Sequence, residues 1–167
     1  SRQVEVYGYD RISSPLTEKL ESEGMQIHYE EAVHLIPEGI DLVVYTPAVP
    51  NQHAELQYFG NNNYKVLKRA AVLGVISRSK SVIGIAGTHG KTTTSAILAH
   101  VLYQTSEKCN AFIGGITSNY NSNCIIDADS KRVVVEADEF DRSFLQLKPN
   151  YAIITTMDSD HLDIYGD

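Results

Sequence analysis

Three stretches, "SVIGIAG" (81–87), "RVVVEAD" (132–138) and "YAIITT" (151–156), are unbroken runs of mostly Val, Ile and Ala closed by polar loops. A strand with one wet face alternates apolar and polar residues. An uninterrupted apolar run needs cover on both faces, which is the condition of parallel strands crossed over by helices. Between the first two runs, Thr92 to Gln104 reads as a helix apolar on most sides, suited to a place against such a sheet. The first half carries the same rhythm. "QVEVYGYD" reads as a strand running into a turn at Gly8, and a helix follows, capped by Ser14, with Pro15 at its first position and its end at Gly24. "DLVVYTP" (41–47) reads as a buried strand and "HAELQYF" as a short helix. "LKRAAVLGVISRS" reads as a longer helix whose apolar face is Leu67, Ala70, Ala71, Leu73 and Val75.

Composition turns polar from Ser77 to Lys80 before the fresh strand at 81, so a boundary is expected there, giving units 1–78 and 79–167. The expected class is α/β: a partial Rossmann-like parallel-sheet domain, its opening strand missing, followed by an incomplete P-loop ATPase-type parallel-sheet domain. The chain opens without methionine and stops just after a turn, and it reads as a piece of something longer. A net charge of −7 argues against a surface built to neutralise nucleic-acid phosphates, while leaving room for a local cationic pocket. No apolar run approaches the ~18 residues of a membrane span, so neither nucleic acid nor membrane is an expected partner. Cys109 and Cys124 match no zinc or redox spacing and read as two inert thiols of a cytoplasmic protein.

"GIAGTHGKTTTSAILAH" (84–100) falls between an expected strand and an expected helix. The strict phosphate-loop pattern G-x-x-x-x-G-K-[ST] would need glycine at 85, where the chain has Ile85. The physical requirements are nevertheless met: glycines that let backbone N–H groups converge, a helix N-terminus, a cation and a hydroxyl. Gly87 and Gly90 allow the tight turn, Lys91 supplies the charge, and Thr92 can reach a metal ion. The competing reading is a glycine turn with an incidental lysine.

Two more strand ends carry chemistry. Glu136 is the first acid out of "RVVVE", where an immobile carboxylate suits Mg²⁺ beside a phosphate loop. Asp138, Glu139 and Asp141 read rather as a solvated acidic surface. His161 lies a few residues beyond "YAIITT" with acids at 158, 160 and 163. Open parallel sheets gather ligands at the carboxyl ends of their strands, so Lys91, Glu136 and His161 are expected to converge, with His161 on a second Mg²⁺ or a phosphate. His28, His34, His53 and His100 read as structural or exposed.

On "GTHGKTTT", "EADEFDRSFLQLKPNYAIITT" and "DHLDIYGD", together with "GYD", "TEKLESEG" and "VVYTPAVPNQHAEL", the chain resembles the Mur ligase family over nearly all its length. It departs from the family's usual residues at Tyr9, commonly serine, and at Thr156, more usually asparagine. The resemblance implies a three-domain enzyme with ATP and Mg²⁺ as cofactors, of which this piece, inactive alone, carries the first domain and part of the second. The histidine in the loop and the "SFLQLKP" segment point to the member that joins L-alanine to the carboxylate of UDP-N-acetylmuramate, through an acyl phosphate, in peptidoglycan precursor synthesis. A recycling ligase that joins a peptide to the same sugar nucleotide, and a nucleotide-binding module without chemistry, are the alternatives.

On that reading Gly87, Thr88, His89, Gly90, Lys91, Thr92 and Thr93 cradle the phosphates. Thr92 and Glu136 hold one magnesium, His161 a second, and Lys91, Glu136 and His161 are catalytic. His89 touches the substrate carboxylate or is simply exposed. Asp10, Ser14, Thr46 and Ala48, at strand ends of the first half, are candidates for the UDP sugar, as are Gly114 and Gly115, where bare backbone admits the sugar or diphosphate. Ordinary turn chemistry competes for all of these.

Overall fold

The computed structural model describes residues 4–137 and 143–158. The chain forms two compact units, 1–68 and 69–167. Unit 1 is two strand–helix–strand steps. β1 (Tyr7–Tyr9) and β2 (Gln26–His28) pair in parallel around α1 (Pro15–Ser22), and β3 (Val43–Tyr45) pairs in parallel with β4 (Val66–Lys68) around α2 (Ala54–Asn61). The start of α1 follows its sequence signals. The Ser14 hydroxyl accepts from the Thr17 N–H at 3.2 Å while the Ser14 N–H donates to Thr17 Oγ1 at 2.8 Å, so orphan donors at the helix entry are met reciprocally. Gly24, with φ +96°, takes the left-handed turn just beyond the end of the helix.

Three expectations for this half shift. Gly8 lies within β1 rather than in a turn. β3 is not buried: Val44 is 47% exposed, because among the described residues β3 has β4 on one side and nothing on the other. Leu67 belongs to β4, so the helix after it, α3 (Arg69–Arg78), starts two residues later than expected.

α3 packs within unit 2, so the two compact units meet between Lys68 and Arg69. Its buried residues are Gly74 and Ser77, while Val75 is 56% exposed. Proximity decides this face. A Cβ on Gly74 would stand 2.6 Å from the Gln146 carbonyl oxygen, so the helix rests on the backbone of the short turn Ser143–Gln146 through its smallest residue rather than through an apolar stripe.

Unit 2 is a sheet ordered β7-β6-β8-β5-β9, from β5 (Ser81–Ala86), β6 (Asn110–Thr117), β7 (Ser122–Ile125), β8 (Arg132–Glu136) and β9 (Tyr151–Ile154). β5, β6, β8 and β9 run parallel, and β7 returns antiparallel along β6. α4 (Lys91–Tyr103) crosses over between β5 and β6. Val82, Val133 and Val135 face Leu73 of α3, Phe112 and Leu147. Ile85, Ala111, Ile113 and Val134 face Ala96, Ala99 and Leu102 of α4. Each fully buried Val or Ile contributes about 1.5–3 kcal/mol of transfer free energy, so the two-sided burial of β5 and β8 anchors the unit. β9 departs from the expected double burial: all four residues are exposed, Ile154 by 61%, because β9 ends the sheet order among the described residues. No helix among the described residues is long and apolar enough to cross a membrane.

Candidate active site

The loop after β5 turns within four residues. Gly87 (φ +126°) and Gly90 (φ +80°) occupy backbone conformations that L side chains rarely adopt, and Gly90 leads directly into α4 at Lys91. The need for glycine at 87 is also steric. A Cβ there would collide with Thr155 Oγ1 and lie 2.8 Å from the Thr156 carbonyl oxygen.

The loop is held from the end of β9. The Thr88 N–H donates to the Thr156 carbonyl (3.0 Å), the His89 N–H to Thr156 Oγ1 (3.0 Å), and the Thr155 hydroxyl to the Ala86 carbonyl (3.2 Å) and the His89 carbonyl. Thr88 Oγ1 accepts from the Asp158 N–H at 2.9 Å. Two loop amides expected in the phosphate cradle are thus committed to β9 in this structure. The Lys91 ammonium folds back to donate to the Gly87 carbonyl at 2.6 Å and the Thr88 carbonyl at 3.3 Å, which holds its charge over the loop. The Thr94 N–H makes the first bond of the helical ladder, to the Gly90 carbonyl, so the amides of Thr92 and Thr93 lie ahead of that ladder at the positive end of the helix.

Glu136 ends β8, beside β5, and its half-buried carboxylate is fixed from two sides. Oε1 accepts from the Thr92 hydroxyl at 2.8 Å and Oε2 from the Gly114 N–H at 2.7 Å. Thr92 and Glu136 arrive from different elements, yet their oxygens stand as far apart as neighbouring ligands of an octahedral ion at 2.0–2.1 Å, about 2.9 Å. The pair therefore fits Mg²⁺. The glycines of β6 make this geometry possible: a Cβ on Gly114 would stand 2.7 Å from Glu136 Oε1, and one on Gly115 would stand 3.3 Å from Thr92 Cγ2. At Gly114 and Gly115, expected to admit sugar or diphosphate, the direction a Cβ would take is occupied by Glu136 and Thr92, while the Gly114 backbone stays exposed.

In unit 1, Asp10 accepts from the Ile12 N–H at 3.4 Å, Ser14 is occupied with capping, and the Thr46 carbonyl closes a turn with the Val49 N–H that also contains Ala48. His28 bonds Glu55 Oε1 at 3.0 Å, and His53 is buried with its ring 4.5 Å from that of Tyr9. His161, and with it Asp138, Glu139 and Asp141, lies outside the described residues. Burial pushes the Cys109 thiol up to about 11, assisted by Asp127, and raises Cys124 too, which keeps both protonated and inert at neutral pH. Sequence reasoning missed the clamp by Thr155 and Thr156. The signal was present in "IITT", since a parallel neighbour of β5 must end beside the loop that β5 feeds.

A parallel sheet that delivers a glycine loop, a lysine at a helix N-terminus, and a hydroxyl paired with a carboxylate from the adjacent strand is the architecture of the P-loop class. The chain's relatives narrow the class. The Mur ligase family's catalytic-domain profile matches residues 2–81, and the Mur ligase middle domain matches residues 85–167. The chain belongs to the Mur ligase family. It is 52% identical over 171 residues to a UDP-N-acetylmuramate–L-alanine ligase of Porphyromonas gingivalis, covering 99% of this chain and 38% of that protein. It is 55% identical over 166 residues to the ligase of the same name from Parabacteroides distasonis, covering 96% and 36%. Among solved structures it superposes on the UDP-N-acetylmuramate–alanine ligase of Thermotoga maritima with a TM-score of 0.86 at 32% identity, over 97% of this chain and 38% of that one. It also superposes on the UDP-N-acetylmuramate:L-alanyl-gamma-D-glutamyl-meso-diaminopimelate ligase of Neisseria meningitides with a TM-score of 0.85 at 26% identity, over 98% and 56%. The chain thus spans little more than a third of the curated relatives it matches.

Proposed function

We propose that the protein to which this chain belongs is a cytoplasmic, ATP-dependent ligase that joins L-alanine to the carboxylate of UDP-N-acetylmuramate in peptidoglycan precursor synthesis. The observation that carries the reading is the Glu136 carboxylate, held by Thr92 and Gly114 at the head of the helix that begins with Lys91. A carboxylate fixed beside the phosphate loop suits Mg²⁺-dependent phosphoryl transfer.

A carboxylate is a poor electrophile. Transfer of a phosphoryl group to it gives an acyl phosphate, which the amine of L-alanine attacks with loss of phosphate. Two anions must first approach one another, so the chain's task is to neutralise and align them. Lys91 places an ammonium over the loop, and the amides at the start of α4, with Thr92 and Thr93, face the phosphates with the helix dipole behind them. Thr92 and Glu136 would hold Mg²⁺, which when bound supplies further positive charge to the transferring group. His161 is proposed to hold a second ion, His89 to meet the acceptor carboxylate, and Asp10, Ser14, Thr46 and Ala48 to serve the UDP sugar.

Replacing Glu136 by alanine in the full-length protein tests the core of this. Phosphate release dependent on UDP-N-acetylmuramate and L-alanine should fall by about 100-fold or more, and ligation at the parental rate would dismiss the metal assignment. The likeness to the Neisseria ligase supports a second reading in which the amine is a peptide. ADP formation with tripeptide but not with L-alanine would select it.

A further inference from the structure

A cleft of about 150 Å³ opens within unit 2 beside Glu136, and its lining includes Arg69, Leu73, Phe112, Gly114, Asn123 and Glu136. At a liquid-water share of about 30 Å³ each it has room for some five waters. That is the bulk of a short carboxylic acid and well below that of a sugar nucleotide. Arg69 is the one cation of the lining, and among the described residues its guanidinium has no ion-pair partner. Glu136, the one acid of the lining among the described residues, already gives its oxygens to Thr92 and Gly114. Arg69 is also the first residue of α3, a helix with no acid in its first turn, so its charge sits where the helix dipole disfavours a cation. Arg69 is exposed, so its charge is tolerated by water, and its guanidinium lines a cleft beside Glu136 where it can meet an anion.

We propose that this cleft seats the carboxylate-bearing end of the acceptor, with Arg69 as the residue that selects for the carboxylate and with Leu73 and Phe112 covering the adjoining carbon atoms. The inference rests on the ligase reading above, in which an anionic acceptor must lie next to the phosphoryl group. From this cleft a carboxylate lies on one flank of Glu136 while Thr92 and the phosphate loop occupy another. A guanidinium on the acceptor's own side offsets the repulsion between the two anions, and its planar fork matches carboxylate geometry.

The test compares binding of UDP-N-acetylmuramate with that of its neutral carboxamide, by calorimetry on the full-length protein and on Arg69→Ala and Arg69→Lys. The parent should prefer the carboxylate. Arg69→Ala should cut that preference by about 10- to 100-fold, Arg69→Lys by less, and binding of the Mg²⁺–ATP complex should be unchanged in both. A purely structural role for Arg69 would weaken both ligands equally, leave their ratio intact and overturn the proposal, as would parental binding of both. A parent protein that ligates UDP-N-acetylmuramate while Arg69→Ala keeps its preference sinks the cleft assignment alone. A parent that does not ligate it sinks the functional reading, and this inference with it.

Discussion

Substituting Gly114 by alanine separates the stability of the fold from the geometry of the proposed metal site. The new Cβ would lie 2.7 and 2.8 Å from the two carboxylate oxygens of Glu136 and 2.9 Å from its Cδ. A carbon–oxygen contact needs more than 3 Å, so something must give by several tenths of an ångström, and the flexible partner is the tip of the Glu136 side chain rather than backbone. The fold therefore loses little. The carboxylate, however, would be pushed off its 2.7 Å bond from the Gly114 N–H and away from its 2.8 Å pairing with Thr92. Magnesium tolerates little departure from octahedral geometry. Removing a group that orients a metal ligand typically costs about 10- to 100-fold in metal affinity, or ~1.4–2.8 kcal/mol. The assay is a Mg²⁺ titration of ATP binding in the full-length protein, followed by fluorescence of a labelled nucleotide, beside a thermal melt without metal. The magnesium midpoint should rise by that factor while the metal-free melt moves by no more than a few degrees. An unchanged midpoint would refute the argument, because it would mean that Glu136 needs neither its bond to Gly114 nor its position to hold the ion.

Gly87→Ala meets the Thr155 hydroxyl and also backbone atoms of Thr155 and Thr156, at a φ of +126°, so the loop itself must distort. The expected cost is about 1–3 kcal/mol in chemical denaturation, together with weaker nucleotide binding in the absence of Mg²⁺. Ser14→Ala removes the hydroxyl half of the cap on α1 and should destabilise unit 1 by about 1 kcal/mol, read from the denaturation midpoint, with no change in affinity for ATP. Cys109 titrates at about 11 in the folded protein against an ordinary value of 9.0, so the neutral thiol is the form the fold prefers. Its contribution to stability is whole below pH 9 and is lost as pH rises through 11, so a decline in melting temperature over that window should be blunted in Cys109→Ala. Iodoacetamide labelling of Cys109 in the native protein should be far slower than in the unfolded chain at pH 8.

Where side-chain chemistry is local, the sequence was a sufficient guide. Ser14 and Pro15 mark the start of α1 because capping is settled within four residues, and "GTHGKTTT" announces a tight turn into a helix because its glycines act at short range. β5 and β8 could be read from their Val and Ile runs because both faces are covered. Longer-range facts escaped. "YAIITT" has the composition of a buried strand, but exposure depends on what lies beside it, and β9 stands at the end of the sheet order. β7, "SNCI", carries no alternation and is a strand because β6 offers it an edge. α3 buries Gly74 and Ser77, since closeness to the Gln146 backbone outweighs hydrophobicity at that contact. Glu136 was legible as an acid after a strand, whereas its fixing by an amide of β6 depends on the order β6-β8-β5, which no local pattern encodes.

The grip of Thr155 and Thr156 on the loop bears on how a nucleotide is captured. A glycine-rich segment left to itself samples many shapes, and a ligand that selects one of them gives up binding energy to do so. Here the residues that follow β9 hold the loop through hydrogen bonds made within the protein itself. Nucleotide association should consequently run near the encounter limit with little curvature in its temperature dependence, and substitutions at the tip of β9 should slow arrival more than they hasten departure.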